Sequence, residues 1–207
     1  MRVVVLAKAP TAGVSKTRLQ ARWEPQQVAL IAEAALADTL GTVSRLSGVH
    51  LELVLDGAPG PWLPAGFHVR PQVAGDLATR LCAALAGSRL PTVLVGMDTP
   101  QLRLAHLELG LEQLADADAT LGPAEDGGWW ALGLAAPVRH AHLVLGVPTS
   151  THLTGRLQQA RLDRAGLVTA ALPTLRDVDL PEDADHVADL IPDSRYGTLV
   201  RSLRLPA

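Results

Sequence analysis

Apolar and polar residues follow one another along this chain in blocks that switch between two periods. Val3-Val4-Val5-Leu6-Ala7 is continuous and rich in β-branched side chains. Such a run suits a strand covered on both faces, as in a parallel sheet. A loop from Lys8 to about Thr17 follows. Pro25 stands at a natural first helical position, and Val28, Ile31, Ala35, Leu36, Leu40 and Val43 recur behind it at helical spacing. Residues 49–55 alternate as a strand that ends at Asp56-Gly57, and 57–66 is turn-rich loop. A short strand over 67–69 precedes a helix over 75–86, with Leu77, Leu81 and Leu85 on one face.

The second half continues in the same way. Residues 91–97 read as a buried strand running into Asp98-Thr99-Pro100, 104–114 as a helix, and 119–121 as a short strand. Residues 127–134 read as a strand entered through two glycines. A helix over 153–165, a strand over 167–172 and a short helix over 181–190 complete the pattern. Alternating strands and helices predict an α/β fold with a mostly parallel central sheet, here one domain over 1–207. In such sheets ligands bind beyond the carboxyl ends of the strands, so the post-strand loops are where chemistry belongs.

Composition narrows the function classes. The chain is 48% hydrophobic and 19% charged, enough apolar material for a core and too much for a disordered segment. A net charge of −3 and 3% aromatics argue against nucleic acid as a partner. Cys82, the single cysteine, excludes an internal disulfide and a cysteine-rich zinc site, and reads as a packed thiol. No apolar run approaches the roughly 20 residues a membrane span needs, and the opening run is too short for a signal peptide. A cytoplasmic protein is expected, and a homodimer is a compatible assembly. There is no asparagine, and sixteen arginines stand against two lysines, Lys8 and Lys16, both inside the window KAPTAGVSK. An ammonium and a guanidinium are not interchangeable, so this clustering points to lysine chemistry there.

Four segments after strands carry candidate chemistry. Lys8, Gly13, Lys16 and Arg18 place three cations and a glycine after the first strand, at the expected start of a helix, a suitable cradle for phosphate. Pro10 and Ser15 stand where a Walker A loop needs glycines, which disfavours a P-loop. Gln72 offers both donor and acceptor to a nucleobase edge, and Gly75 permits close approach. Asp76 either joins that site or caps the next helix, with Arg80 as its i,i+4 partner. Asp98, at the carboxyl end of a buried strand, is placed to hold Mg²⁺ or Mn²⁺, or else to cap the helix after Pro100. Asp177 and Asp179, two apart, would face one side of an extended segment and share a cation. Asp179 could equally cap the Pro181 helix, with Glu182 completing a capping box. Asp126 precedes two glycines where a substrate can approach, and of Trp129 and Trp130 one belongs in the core and the other beside a sugar or base. No G-x-S-x-G or HExxH motif occurs, and His140 and His142 read as surface residues.

Taken in order, KAPTAGVSKTRL, QVAGDLATRL, VGMDTPQL, GPAEDGGWWALGL and DVDLPEDADHV resemble the glycosyltransferase-A (nucleotide-diphospho-sugar transferase) superfamily, and most of all its bacterial candidate glycosyltransferases of the arsenosugar-biosynthesis type. The resemblance implies a Rossmann-like three-layer sandwich that binds a nucleotide across the carboxyl edge of its sheet. It implies that Lys8, Lys16 and Arg18 meet phosphates and that Gln72 and Gly75 lie near the base. Asp98 looks like the superfamily's metal-binding aspartate, with Asp179 or Asp177 as its partner, and Asp126 like a residue on the acceptor side. The first loop is also similar to that of phospholactate-type guanylyltransferases, which share the spacing from Lys8 to Lys16-Thr17-Arg18-Leu19.

The sequence departs from these relatives in three places. Met97 and Thr99 flank the third motif's aspartate where serine and cysteine are usual, Trp129 and Trp130 stand where tyrosine is common, and VPTST lacks a tryptophan. The expectation is a transferase, dependent on Mg²⁺ or Mn²⁺, that passes a glycosyl group from a nucleotide-diphospho-sugar to a small acceptor, with Asp126 and Lys16 in catalytic roles. The alternatives are a nucleotidyltransferase acting on an NTP and a phosphorylated small molecule, and a non-catalytic nucleotide- or sugar-binding protein.

Overall fold

The structure, a computed structural model, describes residues 1–204. The described residues form seven strands: β1 (Arg2–Lys8), β2 (His50–Asp56), β3 (His68–Pro71), β4 (Thr92–Val95), β5 (Ala119–Pro123), β6 (Trp129–Leu134) and β7 (Thr169–Ala171). They make one sheet in the order β3-β2-β1-β4-β6-β5-β7. Only β6 runs antiparallel to its neighbours, β4 and β5. The helices are α1 (Pro25–Val43), α2 (Leu77–Ala86), α3 (Leu104–Gln113), α4 (Pro137–His140), α5 (Thr154–Arg164), α6 (Pro181–Leu190) and α7 (Arg195–Arg204). No helix among the described residues is long and apolar enough to cross a membrane.

The pleat of β1 explains the layers. Val3, Val5 and Ala7 point to one face and pack with Leu36 and Leu40 of α1 and Leu107 and Leu111 of α3. Val4 and Leu6 point to the other and pack with Leu81 and Leu85 of α2 and Leu162 of α5. A third cluster lies outside the sheet, where Val28 and Ile31 of α1 meet Val187 of α6 and Tyr196 and Val200 of α7. The result is a helix–sheet–helix sandwich, the α/β class that alternation predicts.

The structure refines several expected bounds and adds elements. The helix expected from Gly75 begins at Leu77, because Asp76 caps it: Asp76 Oδ1 accepts from Thr79 N at 2.8 Å. α4 and α7 have no counterpart in the sequence reading. α7 hides because Gly197 interrupts its pattern, and that glycine is there for packing: a β-carbon on it would run into the backbone of Ile191. Cys82 is a free, half-buried thiol against the α2 side of the core, and burial pushes its pKa up.

The amino-terminal end of the sheet is closed by charge. Arg2, with a side chain only 4% exposed, lies 3.0 Å from Glu52 and donates to Ala84 O and Leu85 O at 2.9 and 2.7 Å. Arg70 bonds the same carboxylate and the neighbouring carbonyls of α2. Two guanidiniums thus satisfy the last carbonyls of that helix.

Packing around Trp130 is tight enough to test. A β-carbon on Gly122 would fall 2.6 Å from Trp130 Nε1, inside the buried β5–β6 hairpin. Gly122→Ala is therefore expected to cost about 1–3 kcal/mol of stability, read as a lowered midpoint in urea unfolding.

Candidate functional site

Strand order reverses between β1 and β4, and a cleft of about 1110 Å³ opens over the carboxyl ends of the sheet there. Lys8 ends β1 on one side, and Asp98 lies just past β4. The loop after β1 is tied to the end of β2 and to itself. Ala9 N donates to Asp56 O at 2.8 Å, Val14 N and Ser15 N both donate to Thr11 O at 3.1 Å, and Ser15 Oγ donates to Ala9 O at 3.3 Å. Gly13 supplies the left-handed turn at φ 76, and it faces open space rather than the cleft wall. The loop ends at Lys16, itself left-handed at φ 51 and ψ 40, a conformation costing a residue with a β-carbon roughly 1–2 kcal/mol. It continues into a five-residue 3-10 turn, Thr17–Ala21, and the long helix α1 begins only at Pro25, the first helical position its pattern predicts. That corrects the picture of a cradle of helical N–H groups after the first strand.

Lys16 reaches inward. Its Nζ lies 2.6 Å from Asp98 Oδ1 and 3.4 Å from Asp179 Oδ1, and it donates to the carbonyl of Val178. Arg18 Nη1 holds the other oxygen of Asp179 at 3.1 Å. The acids meet because the chain after β7 runs on along β5, through a bridge of Leu175 to Ala124, and then crosses to the tip of β4. There Val178 N donates to Asp98 O at 2.9 Å and Gln101 Nε2 donates to Arg176 O at 2.6 Å. Asp179 does not cap the Pro181 helix. That position belongs to Leu180, and the acid at N3 is Asp183 rather than Glu182, with its Oδ2 accepting from Leu180 N at 2.9 Å.

Charge crowding shapes the electrostatics. Burial pushes the Asp177 carboxyl up, and the negative charges of Asp98, Asp126 and Asp179 push it further, to about 7, against the opposing pull of Lys16. Its Oδ1 is buried without a hydrogen-bond partner. Burial alone would lower the pKa of Lys16, but Asp98, Asp179 and Asp177 outweigh it and hold the ammonium charged.

Among the described residues no three His, Cys, Asp or Glu side chains stand in a ready-made metal cluster. The donor chemistry nevertheless fits a hard divalent cation. Asp98, Asp179 and the Val178 carbonyl already surround one positive charge, the Lys16 ammonium, and the Asp177 oxygen beside them lacks a partner.

The second predicted segment is placed in the cleft but is internally engaged. Gln72 Nε2 donates to Ala7 O at 2.7 Å and to Val54 O at 3.3 Å, and its Oε1 accepts from Arg80 at 3.2 Å. Both ends of the amide are therefore spent on the protein, not held out to a base. Arg80 pairs with Asp56 at 3.0 Å, not with Asp76 as the i,i+4 spacing suggested. Gly75 adopts φ 128 at the cleft surface.

On the far wall, Asp126 sits in the β5–β6 hairpin with its Oδ1 accepting from Gly128 N at 2.7 Å. Gly127, at φ 88, packs so closely on the carbonyl of His152 that a β-carbon has no room. Trp130 is core, its Nε1 donating to Pro173 O at 2.9 Å, while half-buried Trp129 lines the cleft, as the two-faced strand requires.

Sequence reasoning gave no role to two contributors to this wall. Arg176 bridges Glu125 at 2.5 Å and Asp183 at 3.4 Å. The segment from Thr149 to His152 lines the cleft, with Ser150 in the left-handed region at φ 59. The hydroxyl-rich run Thr149-Ser150-Thr151 was the available signal.

The crowded carboxylates make stability depend on pH. Native Asp177 keeps its proton until about pH 7, whereas the unfolded chain releases it near 3.9, so the native state holds more protons between those values and stability falls as pH rises through them. With divalent ions chelated, wild type should lose on the order of 1–4 kcal/mol relative to Asp177→Asn between about pH 4.5 and about pH 8, measured by urea unfolding.

Comparison with known proteins places this architecture. The chain shares its fold with a candidate nucleotide-diphospho-sugar transferase from Desulfovibrio desulfuricans G20, at 22% identity and a TM-score of 0.85, with 98% of this chain and 97% of that one covered. A CMP:2-keto-3-deoxy-manno-octonic acid synthetase complexed with CTP aligns at 13% identity and a TM-score of 0.58, over 92% of this chain and 98% of that one. The 2-C-methyl-D-erythritol 4-phosphate cytidylyltransferase of Thermus thermophilus aligns at 18% identity and a TM-score of 0.55, over 99% and 100% of the two chains. No curated protein sequence matches significantly. Residues 30–151 match the family described as "Uncharacterized protein conserved in bacteria" (DUF2064). With more than half of its length matched, and the fold of nucleotide-diphospho-sugar transferases around its cleft, the chain belongs to the bacterial DUF2064 family.

Proposed function

We propose that this protein is a divalent-metal-dependent transferase that binds a nucleotide-diphospho-sugar and passes the glycosyl group to a small hydroxyl-bearing acceptor. One observation carries the reading: the cations of the first loop and the carboxylates of the β4 tip and the 177–179 segment share one cleft at the switch point of the sheet. Asp98 and Asp179 would hold Mg²⁺ or Mn²⁺, with Asp177 beside them. Such an ion supplies neutralisation of the charge that develops on a departing diphosphate.

The chain's own residues do the rest. Lys8 and Arg18 stand at the cleft as exposed cations for phosphate oxygens, and Lys16 can join them once it leaves its carboxylates. As the bond from the anomeric carbon to the diphosphate oxygen breaks, the acceptor oxygen bonds to that carbon and releases its proton. Asp126, exposed on the opposite wall with one oxygen free of the Gly128 bond, accepts that proton or orients the hydroxyl. Trp129 offers an apolar face beside it for a sugar ring. A nucleotidyltransferase is the second reading. It is favoured by the fold shared with a synthetase that binds CTP and with a cytidylyltransferase, and by the Lys8-to-Leu19 spacing.

Titration with NTPs and nucleotide-diphospho-sugars, with and without Mn²⁺, tests both. Release of a nucleoside diphosphate from a nucleotide-sugar is the expected outcome, whereas pyrophosphate release from an NTP establishes the second reading. Tight binding with no turnover for any acceptor would leave only a binding protein. Asp98→Ala should weaken Mn²⁺-dependent nucleotide binding by about tenfold or more, a loss of about 1.4 kcal/mol; unchanged Mn²⁺-dependent affinity would remove Asp98 from the site.

A further inference from the structure

The geometry around Lys16 points to a role beyond phosphate binding. We infer that the Lys16 ammonium is a built-in competitor for the divalent-cation position, holding the Asp98–Asp179 pair closed until a metal ion displaces it. The inference deepens the transferase reading and rests on its assignment of the cation to these carboxylates.

Three observations carry it. The ammonium has the oxygen surroundings of a bound cation: one carboxylate oxygen at 2.6 Å, a second at 3.4 Å and a backbone carbonyl. All three are the hard donors that Mg²⁺ or Mn²⁺ would take. Lys16 is also largely buried, 11% exposed at its side chain, so its charge acts in a poorly screened setting, and a second cation could not share these oxygens without strong repulsion. Finally, Lys16 holds a left-handed backbone at the end of a loop whose other residues are fixed by hydrogen bonds that do not involve its side chain. Withdrawing the ammonium therefore needs only a local change at Lys16, not the rebuilding of the loop. The phosphates of an arriving nucleotide, met first by exposed Lys8 and Arg18, would offer it another anion. Cation affinity would then be low in the free protein and rise with the nucleotide, because removing one competitor for a site is thermodynamically the same as adding affinity.

The test uses the full chain and Mn²⁺ alone, followed by the electron paramagnetic resonance signal of the free ion. Lys16→Met should bind Mn²⁺ about tenfold or more tightly than wild type, within the range usual for coupled sites. Lys16→Met with Asp98→Asn should lose that gain. A folded Lys16→Met that binds Mn²⁺ no more tightly than wild type overturns the inference. A second measurement needs no substitution: with only two lysines in the chain, the side-chain ammonium of Lys16 can be followed by ¹⁵N-lysine NMR in wild type. Added Mg²⁺ should shift that signal or remove its protection from solvent exchange; a signal unchanged to high Mg²⁺ concentration overturns the inference.

Failure here is separable from failure of the transferase reading. If nucleotide binding depends on Mn²⁺ while Lys16 proves indifferent to metal, the competitor falls and the transferase stands. If Lys16→Met gains Mn²⁺ affinity but no nucleotide binds, the reverse holds.

Discussion

Negative charges gathered at the carboxyl edge of the sheet must be neutralised, and the ammonium of Lys16 does this inside the protein. Asp98, Asp179 and Asp177 come from two segments nearly eighty residues apart, joined by the backbone bond from Val178 to Asp98. Without a cation between them the two segments would repel at their point of closest approach. The ion pairs also fix where the first loop ends, since Lys16 is both the anchor and the last residue before the 3-10 turn. The end of the first loop and the charge balance of the cleft therefore meet at the Lys16 ammonium, with Arg18 on the outer oxygen of Asp179.

Most of the fold was legible because its strands are chemically plain. Val3 to Ala7 and 91–97 are continuous apolar runs that suit strands covered on both faces, 49–55 alternates with period two, and α1 carries an apolar stripe at helical spacing. What was not legible depends on packing or on distant partners. α7 is polar along much of its length and is broken by Gly197, whose role is a close approach to Ile191 that no local pattern reveals. The reversed direction of β6 is likewise a property of its neighbours, not of its composition.

The candidate site divides in the same way. Residue types and order were enough to gather Lys8, Lys16, Arg18, Asp98, Asp126, Asp177 and Asp179 around one cleft. Their partners were not readable. Gln72 has the right groups to meet a base, yet its amide is consumed by Ala7 and Val54, carbonyls on two other strands. Arg80 finds Asp56 at the end of β2 in preference to Asp76, nearer in sequence, which is engaged as a helix cap. A one-residue shift at the start of α6 likewise frees Asp179 from capping and makes it available to Lys16 and Arg18.

The reversed strand has an evolutionary corollary. Because β6 turns back beside β5, the hairpin from Ala124 to Gly128 holds Asp126 over the cleft, braced by Gly155 N on Gly127 O and by Glu125 N on Leu175 O. Lys8 ends β1, and Asp98 lies just past β4, the strand that pairs with β6 on its other side. Change can thus be accommodated at the exposed Asp126 side chain, whereas the backbone on either side of it is fixed by Glu125 N on Leu175 O and by Gly127 against His152.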